Sequence, residues 1–271
     1  MGGGGLSSIA ANTMVPPPPL TAFLAAGHLT FPPKTLFPMV VQGSSQRISS
    51  GWSGGTRRPL RISMQDFSSS AYWNKVYSSG QDDSGQQAVS EWHVEGDVFV
   101  EEVERLLPAG GPSATMHTAA GREEVAVLNV GCGTSTLWES MYDHGWRNIT
   151  NIDFSKPCIE QGRLSPSSAS RPGVKWLVMD ACSLTFEDAS FDTAIDKGTL
   201  DAIACSEAFD WFLSRMARSI VRVLRPGGIW VCVSFTPPEI VLPLLEECKE
   251  WEVEVEKWRS FWMYVGRKRG I

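Results

Sequence analysis

The chain has 271 residues, 42% of them hydrophobic, enough for one sizeable α/β domain with appendages. No apolar run reaches the roughly 18 residues that a membrane-spanning helix needs. Charge is divided unevenly: residues 1–65 hold Lys34, Arg47, Arg57, Arg58 and Arg61 and no acid, while the remainder carries 19 basic and 30 acidic residues, a net of −11. Such a body repels nucleic-acid phosphates, so non-specific binding to DNA or RNA is not expected.

The first 65 residues are rich in Gly, Pro, Ser and Thr, with a run from Pro16 to Pro19. Acid-poor, Ser-rich, Arg-bearing composition is that of a mitochondrial or plastid transit peptide, so residues 1–65 are expected to be a leader and 66–271 the folded domain. The six cysteines, Cys132, Cys158, Cys182, Cys205, Cys232 and Cys248, form no C-x-x-C pair. They read as buried thiols of a reducing compartment, and no metal site is expected.

Within the domain, Tyr72-Trp73-Asn74-Lys75-Val76-Tyr77 comes first, then Glu91-Trp92 after a polar loop. Phe99 to Leu107 has helical spacing, and residues 108–121 read as a Gly/Pro/Ala/Ser-rich loop. Residues 125–130 are a short apolar run of the kind found in a buried central strand. A helix over 137–144, a strand over 148–152 and a further helix with Ser155 as candidate N-cap follow. Strands are expected at 175–179 and around 193–195. Between Leu213 and Leu224 the apolar residues recur at i, i+3, i+4 and i+7, the clearest helical pattern in the chain. Arg225-Pro226-Gly227-Gly228 stops it and turns into a strand at 229–235. A helix around 239–250 leads to two neighbouring strands near 251–256 and 261–265, an antiparallel hairpin.

The informative feature is where the acids fall. Val127 to Val130 feeds the glycine-rich turn Gly131-Cys132-Gly133-Thr134-Ser135, and the next strands end at Asp153, at Met179-Asp180 and at Asp196-Lys197-Gly198. Ends of successive parallel strands lie on one sheet edge, where α/β sheets bind ligands. A dinucleotide fingerprint needs G-x-G-x-x-G, but its third glycine is Thr136 here. Gly131 and Gly133 can let a cofactor approach the backbone closely, and Asp153 can accept two hydrogen bonds from ribose hydroxyls.

This layout resembles the class I S-adenosylmethionine-dependent methyltransferases over residues 70–268. The resemblance implies a Rossmann-like, doubly wound α/β fold, with a seven-stranded sheet that is mostly parallel and ends in an antiparallel hairpin. It implies S-adenosylmethionine as cofactor, with Asp180 at the adenine amine, Met179 or Ala181 beside the ring, and Phe154 among the cofactor-binding residues. Most such enzymes carry Asp or Glu two residues before the first glycine; this chain has Asn129. The aromatic motif, the G-C-G-T-S turn and the stretch Asp196-Lys197-Gly198-Thr199-Leu200-Asp201-Ala202 further resemble the branch that methylates lysines of elongation factor one-alpha and mitochondrial citrate synthase. Ser135 matches that branch, whereas Val76 replaces its usual Arg. By this resemblance Tyr72, Trp73 and Tyr77 close over the cofactor, and Asp196 and Lys197 stand in the substrate pocket.

A lysine nucleophile must be neutral, and deprotonating it near neutral pH costs about 4 kcal/mol. An apolar aromatic pocket lowers that cost, whereas an adjacent carboxylate raises it. His93, His117 and His144 fall in loops or at helix ends, with no catalytic position evident. The expected function is therefore methyl transfer to a protein lysine, with oligomeric state left open. The alternatives are a small-molecule methyltransferase, a cofactor-binding scaffold without turnover and, with NAD in place of S-adenosylmethionine, an oxidoreductase. The D/N-P-P-Y signature of enzymes that methylate base or glutamine nitrogens is missing after strand four.

Overall fold

A computed structural model describes residues 67–81, 85, 91–107 and 119–270. The expected leader, most of the 108–121 loop and His117 lie outside the described residues. Seven strands form one sheet: β1 (Ala126–Val130), β2 (Asn148–Asp153), β3 (Lys175–Val178), β4 (Phe191–Lys197), β5 (Leu224–Ser234), β6 (Trp251–Trp258) and β7 (Phe261–Lys268). Their spatial order is β3-β2-β1-β4-β5-β7-β6. The β3-β2-β1-β4-β5 part is parallel, and β7 runs antiparallel between β5 and β6. This is the expected fold. The order reverses at β1, which has β2 on one side and β4 on the other. Crossovers leave such a switch point on opposite faces and open a crevice at the carboxyl ends of the strands.

The described helices are α1 (Ser70–Ser79), α2 (Gly96–Leu106), α3 (Ala119–Glu124), α4 (Leu137–Asp143), α5 (Lys156–Leu164), α6 (Pro166–Ala169), α7 (Thr199–Ala204), α8 (Phe209–Val223) and α9 (Pro238–Leu245). Strand alternation divides the core in two. Leu128, Val130, Ala194, Trp230 and Cys232 pack with residues of α7, α8 and α9, whereas Val127, Ile149, Ile195, Val231 and Val233 pack with α2 and α4. On α8 the predicted stripe of Leu213, Met216, Ala217, Ile220 and Val221 is buried. Full burial of one such large aliphatic side chain stabilises by roughly 1.5–3 kcal/mol.

Two boundaries differ from those read in the sequence. β5 starts at Leu224, which pairs with Phe191 before a register shift absorbs the Pro226-Gly227-Gly228 turn; Gly227 takes φ 79°. α9 ends at Leu245 and not near residue 250, and the next residues turn into β6. In the hairpin, Glu252, Glu254 and Glu256 are exposed while Trp251 is buried and stacks on Trp230 at 5.4 Å. A side chain at Gly266 would stand 2.6 Å from the Trp251 ring, so glycine there lets β7 pass beneath the indole.

Candidate cofactor and substrate cleft

β1 ends in the glycine turn. Gly131 takes φ 58°, and a Cβ there would stand 2.0 Å from Thr199 Oγ1. That hydroxyl donates to the Val130 carbonyl at 2.9 Å, binding the start of α7 to the turn. Gly133, at φ 51°, donates its N–H to Asp153 Oδ2 at 3.1 Å, and Ser155 N–H donates to Oδ1 at 2.8 Å. The Asp153 carboxylate is thus fixed at the end of β2 across from the turn. Burial pushes its pKa up to about 6, against the opposing pull of the two N–H donors. Ser155 precedes α5 as expected, but its hydroxyl does not cap that helix. It donates to Asn74 Oδ1 at 2.8 Å and so fastens α1 to the sheet edge.

The turn and Asp153 form one wall of a cleft enclosing about 990 Å³, its mouth included. Phe154, Met179, Asp180 and Ala181 continue that wall from the ends of β2 and β3. Asp180 Oδ1 accepts the Cys182 N–H at 2.8 Å, capping a short 3-10 turn over Ala181–Ser183. The opposite wall is aromatic: Phe67, Trp73, Tyr77 and Trp92 all line the cleft. Trp73 stacks on Tyr77 at 5.4 Å and meets Trp92 edge-on at 6.0 Å. Tyr77 hangs over Gly133, where a Cβ would come within 2.9 Å of its hydroxyl. Burial first, and then the Asp153 charge, push the Tyr77 phenol up, so it remains a proton donor.

Ser135 and Lys197 also line the cleft, and both are held by Glu91. Glu91 Oε2 accepts from Lys197 Nζ at 2.7 Å and from Ser135 Oγ at 3.0 Å, while Oε1 accepts from Thr136 N–H and Oγ1. Lys197 Nζ donates additionally to the Trp92 carbonyl at 2.9 Å. Burial raises the Glu91 pKa, but the bonds from Lys197 and Thr136 outweigh it and hold the carboxyl below its ordinary value. Burial lowers that of Lys197 despite Glu91. The Lys197 ammonium is therefore committed to a clamp between β4, the glycine turn and residues 91–92. The sequence reading missed Glu91, whose only signal was a carboxylate beside an aromatic in a polar loop.

Three residues expected at the site stand elsewhere. Asn129 is buried, and its Nδ2 donates to Asn151 Oδ1 at 2.8 Å across the β1–β2 register; it does not line the cleft. Asp196 is 0% exposed and also outside the lining. Its Oδ1 accepts the Thr199 N–H at 2.8 Å at the entrance to α7, and burial raises its pKa to about 7. It orders the turn after β4. Tyr72 lies outside the lining and packs edge-on against Phe67 at 5.0 Å. The motif brought these residues near the site, but strand alternation and the helix face turned their side chains away.

The cleft fits an adenosyl cofactor. Asp153 retains acceptor capacity for a ribose diol, Asp180 can accept from an amine, Met179 and Phe154 offer apolar contact to a ring, and the αL glycines leave room for close approach. A family profile described as a methyltransferase domain matches residues 128–232, the span from β1 to β5. Residues 128–232 therefore carry a methyltransferase domain, and the chain resembles the class I S-adenosylmethionine-dependent methyltransferases. Among curated relatives of this chain, the eEF1A lysine and N-terminal methyltransferase homolog of Drosophila pseudoobscura pseudoobscura is 32% identical over 67% of this chain and 24% of its own length. The eEF1A lysine and N-terminal methyltransferase of Homo sapiens is 40% identical over 42% of this chain and 17% of its own length. The chain thus spans about a quarter or less of these relatives. A solved structure from work on the conversion of a disulfide bond into a thioacetal group in echinomycin biosynthesis superposes with a TM-score of 0.56 at 18% identity. That match covers 74% of this chain and 93% of the other, and it shows the shared fold.

Proposed function

We propose that this methyltransferase transfers a methyl group from S-adenosylmethionine to a protein lysine. The observation that carries the reading is the pairing of two walls in one cleft. Strand-end carboxylates Asp153 and Asp180 and the glycine turn line the same cleft as Phe67, Trp73, Tyr77 and Trp92. When bound, the cofactor supplies an electrophilic methyl on a sulfonium. Asp153 and Asp180 would fix the adenosine portion, and Ser135 with the N–H groups of the turn would meet the amino-acid portion. Holding nucleophile and methyl in line contributes up to roughly 7–11 kcal/mol. The aromatic wall suits a lysine: ring faces attract the incoming cation, while exclusion of water favours the neutral amine that reacts. The names of the relatives support elongation factor 1A as the first acceptor to try.

The test is incubation of the full chain with methyl-labelled S-adenosylmethionine and purified elongation factor 1A, followed by mass spectrometry of the labelled peptides. Label on lysine supports the proposal. Label confined to added small amines or thiols overturns the protein-lysine assignment.

The acid-free composition of residues 1–65 supports import into a mitochondrion or plastid. A fluorescent protein fused after residue 65 should enter one of these organelles, and diffuse cytosolic signal would contradict import.

A further inference from the structure

His93 is the residue whose arrangement exceeds what holding the fold requires. It sits in the left-handed region at φ 69°, one of three non-glycine residues there among the described residues. Its ring is stacked on Phe235 at 4.7 Å and met edge-on by Phe261 at 5.1 Å, and the side chain is 0% exposed. Nε2 lies 2.7 Å from Asp201 Oδ2. Asp201 is itself over-determined: its Oδ1 accepts from Ser234 Oγ, from the N–H groups of Phe235 and Thr236, and from Thr236 Oγ1. A carboxylate held this firmly fixes both the orientation and the tautomer of an imidazole, leaving the proton on Nε2 and a lone pair on Nδ1.

That Nδ1 is buried and has no hydrogen-bond partner. His93 is itself outside the cleft lining and stands one layer behind it: its Cε1–Nδ1 edge and Trp92 Cβ lie side by side against Gly198, 3.2–3.5 Å from where a Cβ would stand. Gly198 and Trp92 line the cleft. A buried acceptor without a donor is costly unless a ligand supplies one, and strained backbone of this kind gathers at functional sites.

We infer that His93 is the general base of the reaction, accepting at Nδ1 the proton that the substrate ammonium must lose. This rests on the lysine reading above. The amine approaches from the cleft beside Gly198 and Trp92, and its N–H proton passes to Nδ1. The imidazolium is stabilised by Asp201. The freed nitrogen pair then forms the N–C bond as the C–S bond breaks and its electrons return to sulfur; the imidazolium gives its proton to solvent after product leaves. Asp196 lies close enough to Asp201 for the two charges to interact. The Lys197–Glu91 pair is held to the adjoining Trp92 carbonyl, and Glu95 acts on Lys197.

The test uses the full chain and His93→Gln, whose amide can still donate to Asp201 but cannot accept a proton. Methyl transfer to elongation factor 1A should fall by about 100-fold or more at pH 7, with S-adenosylhomocysteine affinity and melting temperature unchanged. The deficit should narrow as pH rises toward the lysine's own pKa, which a purely structural role would not produce. Activity within threefold of wild type overturns the inference. Independently of any acceptor, nitrogen NMR of histidine-labelled wild type, assigned with the variant, should show that the neutral His93 ring carries its proton on Nε2; a neutral ring protonated on Nδ1 overturns the inference. Absence of transfer by the wild type would instead count against the lysine reading, with the ring tautomer still deciding the role of Nδ1.

Discussion

Lys197 and Glu91 lie 106 positions apart in the chain, and their side chains meet at 2.7 Å beside the glycine turn. The Lys197 side chain is only 3% exposed. Removing one member of a buried pair leaves the other charge uncompensated, at a cost of about 3–5 kcal/mol. Lys197→Met should therefore destabilise the domain by on the order of 3 kcal/mol, the lower figure because Glu91 keeps some solvent contact. Denaturant unfolding measures this, and an unchanged midpoint would show the clamp to be dispensable.

Asp153 is the acceptor on which cofactor affinity depends most. Asp153→Ala removes the ribose acceptor and also leaves the Gly133 and Ser155 N–H groups without their partner. Calorimetry should show S-adenosylhomocysteine binding weakened by more than tenfold. Affinity equal to wild type would remove Asp153 from the cofactor site.

The same residue predicts a pH dependence. Its folded pKa of about 6 lies above the unfolded reference of 3.8. The buried charge thus costs stability above pH 6, and the cost is relieved as pH falls through 6 toward 3.8. Cofactor binding has the opposite sign, because only the carboxylate accepts two hydroxyl protons. S-adenosylhomocysteine affinity should be flat from pH 8 to 7 and fall below pH 6, while Asp153→Asn should be weak but flat across the range. A wild-type affinity that does not change between pH 7 and 5 would contradict this.

Asn129 occupies the position where related enzymes have an acid, which made it look like a weakened contact. Its bond to Asn151 places it between two strands and outside the cleft. Asn129→Asp should leave cofactor affinity within about twofold and lower stability, since a carboxylate replaces a satisfied amide in a buried site. A large gain in affinity would show that the side chain does reach the cofactor.

Gly131 combines a left-handed backbone with a 2.0 Å approach to Thr199. Gly131→Ala should cost more than the roughly 1–2 kcal/mol of left-handed strain alone, because the Thr199 bond to Val130 must also break. Thermal melting of Gly131→Ala and of the double variant with Thr199→Ala, each beside its own Gly131 parent, separates the two contributions; a Gly131→Ala substitution that costs nothing in the Thr199→Ala background would remove backbone strain from the account.

Much of the fold was legible because its signals are local. Runs ending in Gly131 and Asp153 announce buried strands, the run ending in Asp180 announces the exposed edge strand β3, all three mark a ligand-facing end, and the α8 stripe announces one helix face. What escaped was set by distance and by side-chain direction. Glu91 and His93 lie in an irregular stretch, and their partners Lys197 and Asp201 come more than 100 residues later. No periodicity links such positions. Asn129 and Asp196 sit inside recognisable motifs, yet only the sheet register decides that one faces Asn151 and the other the start of α7.

The central claim is tested most directly by calorimetric titration of the full chain with S-adenosylhomocysteine, with NAD as control. The account predicts one-to-one binding of S-adenosylhomocysteine and no heat with NAD. No binding of S-adenosylhomocysteine, or binding of NAD in its place, would contradict it.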